Sequence, residues 1–154
     1  MAELFTLGYE GSTLQQFLKV LQAREISVLV DVRETPLSRK PGFSKSALAA
    51  ACEKAGIAYE HWCVFGCPRP IRDAYKINGD WASYTKKFIQ HLPNISDSIE
   101  LLASRALVER MCLVCFEADP NTCHRLYISK AVEELSKHIQ TVHLTSKGLT
   151  VLAR

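Results

Sequence analysis

Short apolar runs that alternate with helix-forming segments are the feature that most restricts how this chain can fold. Five such runs are predicted to be strands, at residues 4–8, 28–32, 57–62, 111–116 and 141–144. The segments between them carry apolar residues at helical spacing, and the last long helix is predicted over residues 122–138. Only residues 72–79, after a proline-containing loop, are expected to be irregular or a short helical turn.

This alternation predicts the fold class. Strands that alternate with helices favour a mainly parallel sheet with right-handed crossovers. We therefore expect an α/β fold: a single three-layer domain over residues 1–154, with five strands and with helices on both faces, in a Rossmann-like arrangement. Residues 145–154 are expected to form a C-terminal tail, which could add a small edge strand.

Composition narrows the class of protein and its location. Of the 154 residues, 47% are hydrophobic and 23% are charged, the ordinary balance of a globular domain. No apolar run approaches the roughly 18 residues of a membrane span, and the start lacks a signal peptide, so we expect a cytoplasmic protein without a membrane partner. The six cysteines are then expected to be reduced thiols. The net charge of +3 permits a nucleic acid or another anionic partner without requiring one.

Polar and reactive side chains fall where the predicted strands end. They are Tyr9 and Glu10 after the first strand, Asp31 and Arg33 at the end of the second, and Cys115 and Glu117 at the end of the fourth. Because parallel strands have their carboxyl ends at the same edge of a sheet, these side chains are expected to line one ligand-binding cleft.

The segment 115–125 concentrates the candidate catalytic groups. Cys115 and Glu117 are two residues apart, which places both side chains on one face of the strand. Cys123 and His124 are predicted in the first turn of the last helix, where free amides and the helix dipole lower the pKa of a thiol. Cys123 is therefore the favoured nucleophile and Cys115 the alternative. Glu117 or His124 is expected to act as general acid or base.

A second group of side chains is expected to bind the substrate. Arg33, Arg39 and Arg125 can hold a phosphate or a carboxylate through charge-assisted hydrogen bonds. The full set of expected anion-binding residues is Tyr9, Glu10, Asp31, Arg33, Ser38, Arg39 and Arg125. The alternative for Asp31 is a local ion pair with a neighbouring arginine.

Three functions stay open at this level. The leading hypothesis is an enzyme without a cofactor, acting on a small anionic, nucleotide or nucleic-acid phosphate substrate. The second is a non-catalytic nucleic-acid or nucleotide binding module with structural thiols, which the basic and aromatic residues between 69 and 84 favour. The third is a zinc protein that uses Cys115, Glu117, Cys123 and His124. Their spacing matches no common zinc pattern, and adjacent cysteine and histidine on one helix turn rarely converge on an ion, so no metal is the primary expectation.

The motifs in combination resemble the bacterial and archaeal family known as domain of unknown function 488. The resemblance covers residues 6–144 and rests on Thr6-Leu7-Gly8-Tyr9-Glu10-Gly11, on Val30-Asp31-Val32-Arg33 with Pro36, Ser38, Arg39 and Pro41-Gly42-Phe43, on Gly66 with Pro68, and on Cys115-Phe116-Glu117 with Pro120 and Cys123-His124-Arg125. It implies an α/β cytoplasmic domain whose shared positions are those above, and it implies no established activity. One position departs, because members tend to carry a second glycine where this chain has Cys67. A positive φ there would strain the cysteine.

Overall fold

A computed structural model gives the fold and describes residues 1–147 and 150–151. Its strands are β1 (Ala2–Gly8), β2 (Val28–Asp31), β3 (Ala58–His61), β4 (Met111–Cys115), β5 (Ile139–Leu144) and β6 (Thr150–Val151). Its helices are α1 (Leu14–Ala23), α2 (Lys45–Lys54), α3 (Arg69–Asn78), α4 (Trp81–His91), α5 (Ser96–Ala106) and α6 (Arg125–Leu135). Short 3₁₀ turns cover Cys63–Phe65, Leu92–Ile95 and Pro120–Thr122.

The strands form one sheet in the order β3-β2-β4-β1-β5-β6. The pairs from β3 to β5 are all parallel, which confirms the predicted five-stranded parallel sheet. The two-residue strand β6 adds an antiparallel edge next to β5. It lies within the predicted tail, whose residues 148, 149 and 152–154 fall outside the described part of the chain.

Both faces of the sheet are covered by helices, as predicted. Phe17 of α1 and Leu48 of α2 pack into an apolar cluster on one face. Phe88 of α4, Leu102 of α5 and Ile128 of α6 pack into a second cluster on the other. Strands β2 and β4 are buried along their whole length because each side meets a helix layer, whereas the edge strand β3 is partly exposed. None of the helices within the described ranges has the length and apolar character that a membrane crossing needs.

The strand order creates a topological switch point between β2 and β4. These two strands are neighbours, and the chain leaves β2 towards the β3 edge and leaves β4 towards the β5 edge, so the two connections diverge. The helices that follow these strands, α2 and α6, lie on opposite faces of the sheet. Loops that diverge in this way leave a crevice at the carboxyl ends of the strands, where open α/β sheets bind their ligands.

Helix α3 corrects the expectation of irregular backbone over residues 72–79. It covers Arg69–Asn78, with Pro68 at the N-cap and Pro70 in the first turn. Proline is compatible with these positions because the first amides of a helix have no intrahelical acceptor. The prolines that argued for a loop therefore mark the start of a helix.

Candidate functional site

A cleft of about 330 Å³ opens at the carboxyl ends of β1, β2 and β4, beside the switch point. Its lining residues are Tyr9, Arg33, Glu34, Thr35, Leu37, Ser38, Cys67, Arg72, Cys115, Phe116, Glu117 and His124. The cleft therefore brings together many of the predicted site residues. Glu10, Asp31, Arg39, Cys123 and Arg125 are not in its lining.

Cys123 does not lie in a helix, and the prediction that it occupies the first turn of the last helix is wrong. Residues Pro120–Thr122 form a 3₁₀ turn, Cys123 has extended backbone with φ −135° and ψ 144°, and α6 begins only at Arg125. The side chain of Asp119 stabilises this turn by accepting a hydrogen bond from the amide of Asn121 at 2.9 Å. As a result, Cys123 does not gain from the amides at the start of α6.

His124 supplies the electrostatic stabilisation instead. Its Nδ1 lies 3.8 Å from the Sγ of Cys123. Burial opposes ionisation of the Cys123 thiol, but a hydrogen bond with Cys115 and the charges of His124 and Arg125 outweigh it and lower its pKa. The same hydrogen bond, together with burial, raises the pKa of Cys115. Cys123 is therefore the more acidic thiol of the pair, and Cys115, whose side chain lines the cleft, is the less acidic one.

The orientation of the His124 ring is set by a backbone carbonyl. Its Nε2 lies 3.0 Å from the oxygen of Val32, which can only accept a hydrogen bond, so Nε2 carries a hydrogen. This leaves Nδ1 facing Cys123. Burial disfavours the charged ring, but the neighbouring Cys123 reverses this effect, and the pKa of His124 is raised.

Glu117 lies beyond the end of β4, and its side chain reaches the same cleft as Cys115. Burial and the neighbouring Cys123 raise the pKa of its carboxyl to about 7. Its Oε2 is buried and has no hydrogen-bond partner within the described part of the chain. Such an atom is available to a ligand, because burying a carboxyl oxygen without a partner is unfavourable.

Arg125 holds the loop after β4 in place. This residue is fully buried, and its guanidinium donates to the carbonyl oxygens of Glu117 at 2.6 Å and Ala118 at 3.3 Å. Its Nε donates to the Thr6 hydroxyl at 3.2 Å. Because these contacts engage all three nitrogens inside the protein, they give no support to the expected anion-binding role of Arg125.

The Thr6 hydroxyl extends this network to His143 and predicts a pH effect on stability. It lies 2.6 Å from Nδ1 of His143, and burial together with the charge of Arg125 lowers the pKa of that imidazole to about 4.

The lowered pKa of His143 makes stability depend on pH. As the pH falls, His143 is protonated first in the unfolded chain, so stability is lost between about pH 6.5 and 4, at up to about 1.4 kcal/mol per pH unit. Urea denaturation across this range is expected to show a shallower pH dependence for His143→Asn. The exposed control His138→Asn should keep the wild-type slope, and a His143→Asn slope equal to it would contradict the assignment.

Asp31 and Arg33 form a buried ion pair in which Arg33 belongs to the cleft lining and Asp31 does not. Arg33 donates to the two Asp31 oxygens at 2.8 and 2.7 Å, to the Tyr9 hydroxyl at 3.1 Å and to the Phe43 carbonyl at 2.7 Å. The hydroxyl of Tyr59 donates to Asp31 at 2.5 Å. The alternative of a local ion pair for Asp31 is therefore confirmed, and the pair ties the loop after β2 to β1.

The other expected anion-binding residues lie at the margin of the site. Glu10 is exposed and accepts a hydrogen bond from the Ala118 amide at 3.0 Å. Ser38 lines the cleft, and its hydroxyl accepts from the Lys40 amide at 3.1 Å. Arg39 is exposed and lies outside the lining. The first two residues shape the loops around the cleft, while an anion-binding role for Arg39 stays a prediction.

Arg72 and Glu34 are cleft residues that the sequence did not single out as a pair. Arg72 Nη2 lies 3.6 Å from Glu34 Oε2, whereas Arg69 Nε lies 2.8 Å from the other oxygen of Glu34. The Nε of Arg72 is buried and has no hydrogen-bond partner in the described residues. In the sequence, Arg69 and Arg72 stand out only as two basic residues close together. Their placement around Glu34 could not be derived, because it depends on helix α3, which was not predicted.

Cys67 has unstrained backbone, and the aromatic residues of α3 and α4 pack against one another. Among the described residues Glu25 is the only non-glycine with positive φ, so the strain considered for Cys67 does not arise. Tyr84 stacks on Trp81 with ring centroids 4.5 Å apart, and Tyr75 meets both rings edge-on. Because these rings pack on one another and on the core, they do not form an open stacking surface for nucleic-acid bases.

Cys115, Cys123 and His124 have the residue types and the geometry of metal ligands. One ligand atom from each lies within 4.8 Å of the other two, and all three residues are buried. The argument that adjacent cysteine and histidine would diverge assumed a helix at Cys123. Its extended backbone lets the two side chains converge.

The fold and the site together define a Rossmann-like α/β protein with a cysteine, histidine and glutamate cluster at its topological switch point. The family model described as "Domain of unknown function DUF488" matches residues 13–132, so the chain belongs to this family. Comparison with curated proteins finds no match, and comparison with solved structures finds none either.

Proposed function

We propose that the protein is an enzyme that acts on a small anionic substrate bound in the cleft at the switch point. The observation that carries this proposal is the presence of two incompletely paired polar groups beside a thiol in one small cleft. These are the carboxyl of Glu117 and the guanidinium of Arg72, and the thiol is that of Cys115. A volume of about 330 Å³ is at the lower end for small-molecule sites, which favours a compact substrate or a phosphate group of a larger one.

Arg72 is the arginine best suited to bind the anion. Arg33 and Arg125 already donate to acceptors within the protein, and Arg39 lies outside the cleft. Among the described residues, the ion pair of Arg72 is a loose contact with Glu34 at 3.6 Å. A substrate phosphate or carboxylate can replace this contact with shorter charge-assisted hydrogen bonds.

Glu117 is the group best placed to transfer a proton. Glu117 lines the cleft with Cys115 and His124, and one buried oxygen of its carboxyl has no hydrogen-bond partner among the described residues. General acid or base catalysis by a positioned carboxyl typically contributes about 10²–10⁴-fold to a rate. The cluster of Cys115, Cys123 and His124 forms the reactive centre. Cys115 is its cleft-lining thiol, and Cys123 lies behind it.

Substitution of Arg72 tests the anion site. Phosphate, pyrophosphate, nucleoside monophosphates and small carboxylates are screened against the wild type by thermal shift and then by calorimetry. Loss of one charge-assisted interaction, worth about 1.5–3 kcal/mol, should weaken the best anion by about tenfold or more in Arg72→Met. Arg69→Met is the matched control, because Arg69 contacts the same Glu34 from outside the cleft. Equal affinities of both variants would refute the assignment.

Turnover separates catalysis from binding alone. Glu117→Gln should lower turnover of any converted anion by about 10²-fold or more while leaving its affinity within a few-fold of wild type. Anion binding without turnover would instead favour the non-catalytic binding module. Steep salt dependence of nucleic-acid affinity, unchanged in Glu117→Gln, would identify that module as a nucleic-acid binder.

A further inference from the structure

We propose that Cys115, Cys123 and His124 bind a zinc ion at the inner end of the cleft. This inference deepens the proposed function and rests on it for the role of the metal, which is to hold a reacting oxygen next to Glu117. It changes the expected role of both thiols, because they act as ligands and not as nucleophiles.

The spacing of the ligand atoms fits zinc. Tetrahedral zinc with bonds of about 2.3 Å to sulfur and about 2.0–2.1 Å to nitrogen requires roughly 3.8 Å between two sulfurs and roughly 3.5 Å between sulfur and nitrogen. The Sγ of Cys123 and Nδ1 of His124 are 3.8 Å apart, and all three ligand atoms lie within 4.8 Å. Changes of about an ångström in these separations, on the order of side-chain rotations, are enough to complete the site.

The surroundings of His124 are those of a metal ligand. Histidines that bind metals almost always donate their second ring nitrogen to a carbonyl or carboxylate, which fixes the ring and its tautomer. The contact of 3.0 Å between Nε2 and the Val32 carbonyl is of this kind, and it directs Nδ1 towards Cys123. Arg125 holds the loop that carries the ligands through the Glu117 carbonyl, so the site is organised before an ion binds.

The ligand set points to zinc and to an open coordination position. Two thiolates and one imidazole favour zinc over magnesium or calcium, which prefer oxygen ligands. Three protein ligands leave a fourth position for water or substrate, as in catalytic zinc sites. Cys115 and His124 line the cleft, so this position is expected to face it. Glu117 lines the same cleft, and its buried Oε2 has no hydrogen-bond partner among the described residues, so its carboxyl can pair with a bound water.

Metal content and cobalt spectroscopy test the proposal. The full chain is purified under reducing conditions without a polyhistidine tag, and its zinc is measured by mass spectrometry before and after zinc loading and desalting. We expect about one zinc per chain. Co²⁺ in place of zinc should give a thiolate-to-cobalt charge-transfer band and the visible bands of tetrahedral cobalt. This readout needs no variant, so it holds even if a substituted protein fails to fold.

Variants locate the ion. Cys115→Ser, Cys123→Ser and His124→Gln should each weaken zinc binding by about a hundredfold or more. Cys112→Ala is the matched control, because Cys112 is a buried thiol of the same strand that packs against the opposite helix layer. No zinc in the loaded wild type, a cobalt spectrum without sulfur ligation, or equal zinc loss in Cys112→Ala would overturn the proposal.

These measurements use no substrate, so they fail independently of the proposed function. Absence of zinc from the loaded wild type, together with turnover of an anion, would overturn the metal site and leave the enzyme proposal standing. Stoichiometric zinc with anion binding that is insensitive to Arg72→Met would support the metal site and refute the anion site.

Discussion

Replacing Gly8 with alanine is expected to destabilise the protein by about 3 kcal/mol and to disrupt the site. A Cβ at this position would lie 1.7 Å from the carbonyl oxygen of Glu117 and 2.9 Å from the amide nitrogen of Ala118. Backbone cannot remain at such distances, so the loop after β4 has to move away from β1. That movement also strains the hydrogen bond of 2.6 Å from Arg125 to the Glu117 carbonyl.

Urea denaturation of Gly8→Ala measures this effect, and Gly79→Ala is its control. Gly79 has φ +64°, and no heavy atom of the described residues lies within 4 Å of the added Cβ, so its substitution costs only the conformational term, about 1 kcal/mol. Gly8 is not among the glycines with positive φ, so the loss of stability expected for Gly8→Ala comes from the steric clash of the added Cβ and not from backbone strain. Similar losses of stability in the two variants would show that the β4 loop does not approach β1 this closely.

The second large effect is expected from Asp31→Asn, which should lower the free energy of unfolding by about 3–5 kcal/mol. Asp31 is fully buried, and it is the acidic partner of the nearly buried Arg33. Asparagine has nearly the same shape, but it removes the charge that compensates the guanidinium. It also presents an NH₂ group to donors from Arg33 and Tyr59.

Two comparisons separate this buried pair from ordinary ion pairs. Replacing both partners, in Asp31→Leu/Arg33→Met, is expected to cost less than Asp31→Asn, because no buried charge is left uncompensated. Arg69→Met, which breaks an ion pair whose arginine is mostly exposed, should change stability far less than Asp31→Asn. A double variant that is less stable than Asp31→Asn would mean that the shape of the pair matters more than its charge.

Hydrophobic patterns within short stretches of the sequence predicted the strands of the parallel sheet. The apolar runs led to the five parallel strands, because a strand buried on both faces needs a continuous apolar stretch. The wrong predictions of secondary structure fall at segments that contain proline, because proline is compatible both with a loop and with the first turn of a helix. Pro70 opens α3, and Pro120 belongs to a 3₁₀ turn that moves Cys123 out of the following helix.

The candidate site was predicted in its residue types and only partly in its geometry. The sequence singled out Cys115, Glu117 and His124, and the structure brings them to one cleft. The roles of the arginines could not be derived from sequence, because they depend on acceptors that are distant along the chain. Arg33 donates to Tyr9, and Arg125 donates to Thr6, over separations of 24 and 119 residues.

The sequence by itself determined the alternation of strands and helices, the family, and the concentration of reactive side chains at strand ends. These follow from hydrophobic periodicity and from short motifs, which act over a few residues. Only the tertiary structure decided that β4 lies between β1 and β2, that Cys123 and His124 converge with Cys115, and that Arg72 faces the cleft. Each of these depends on which elements become neighbours in the sheet and its helix layers, and long-range packing sets that choice.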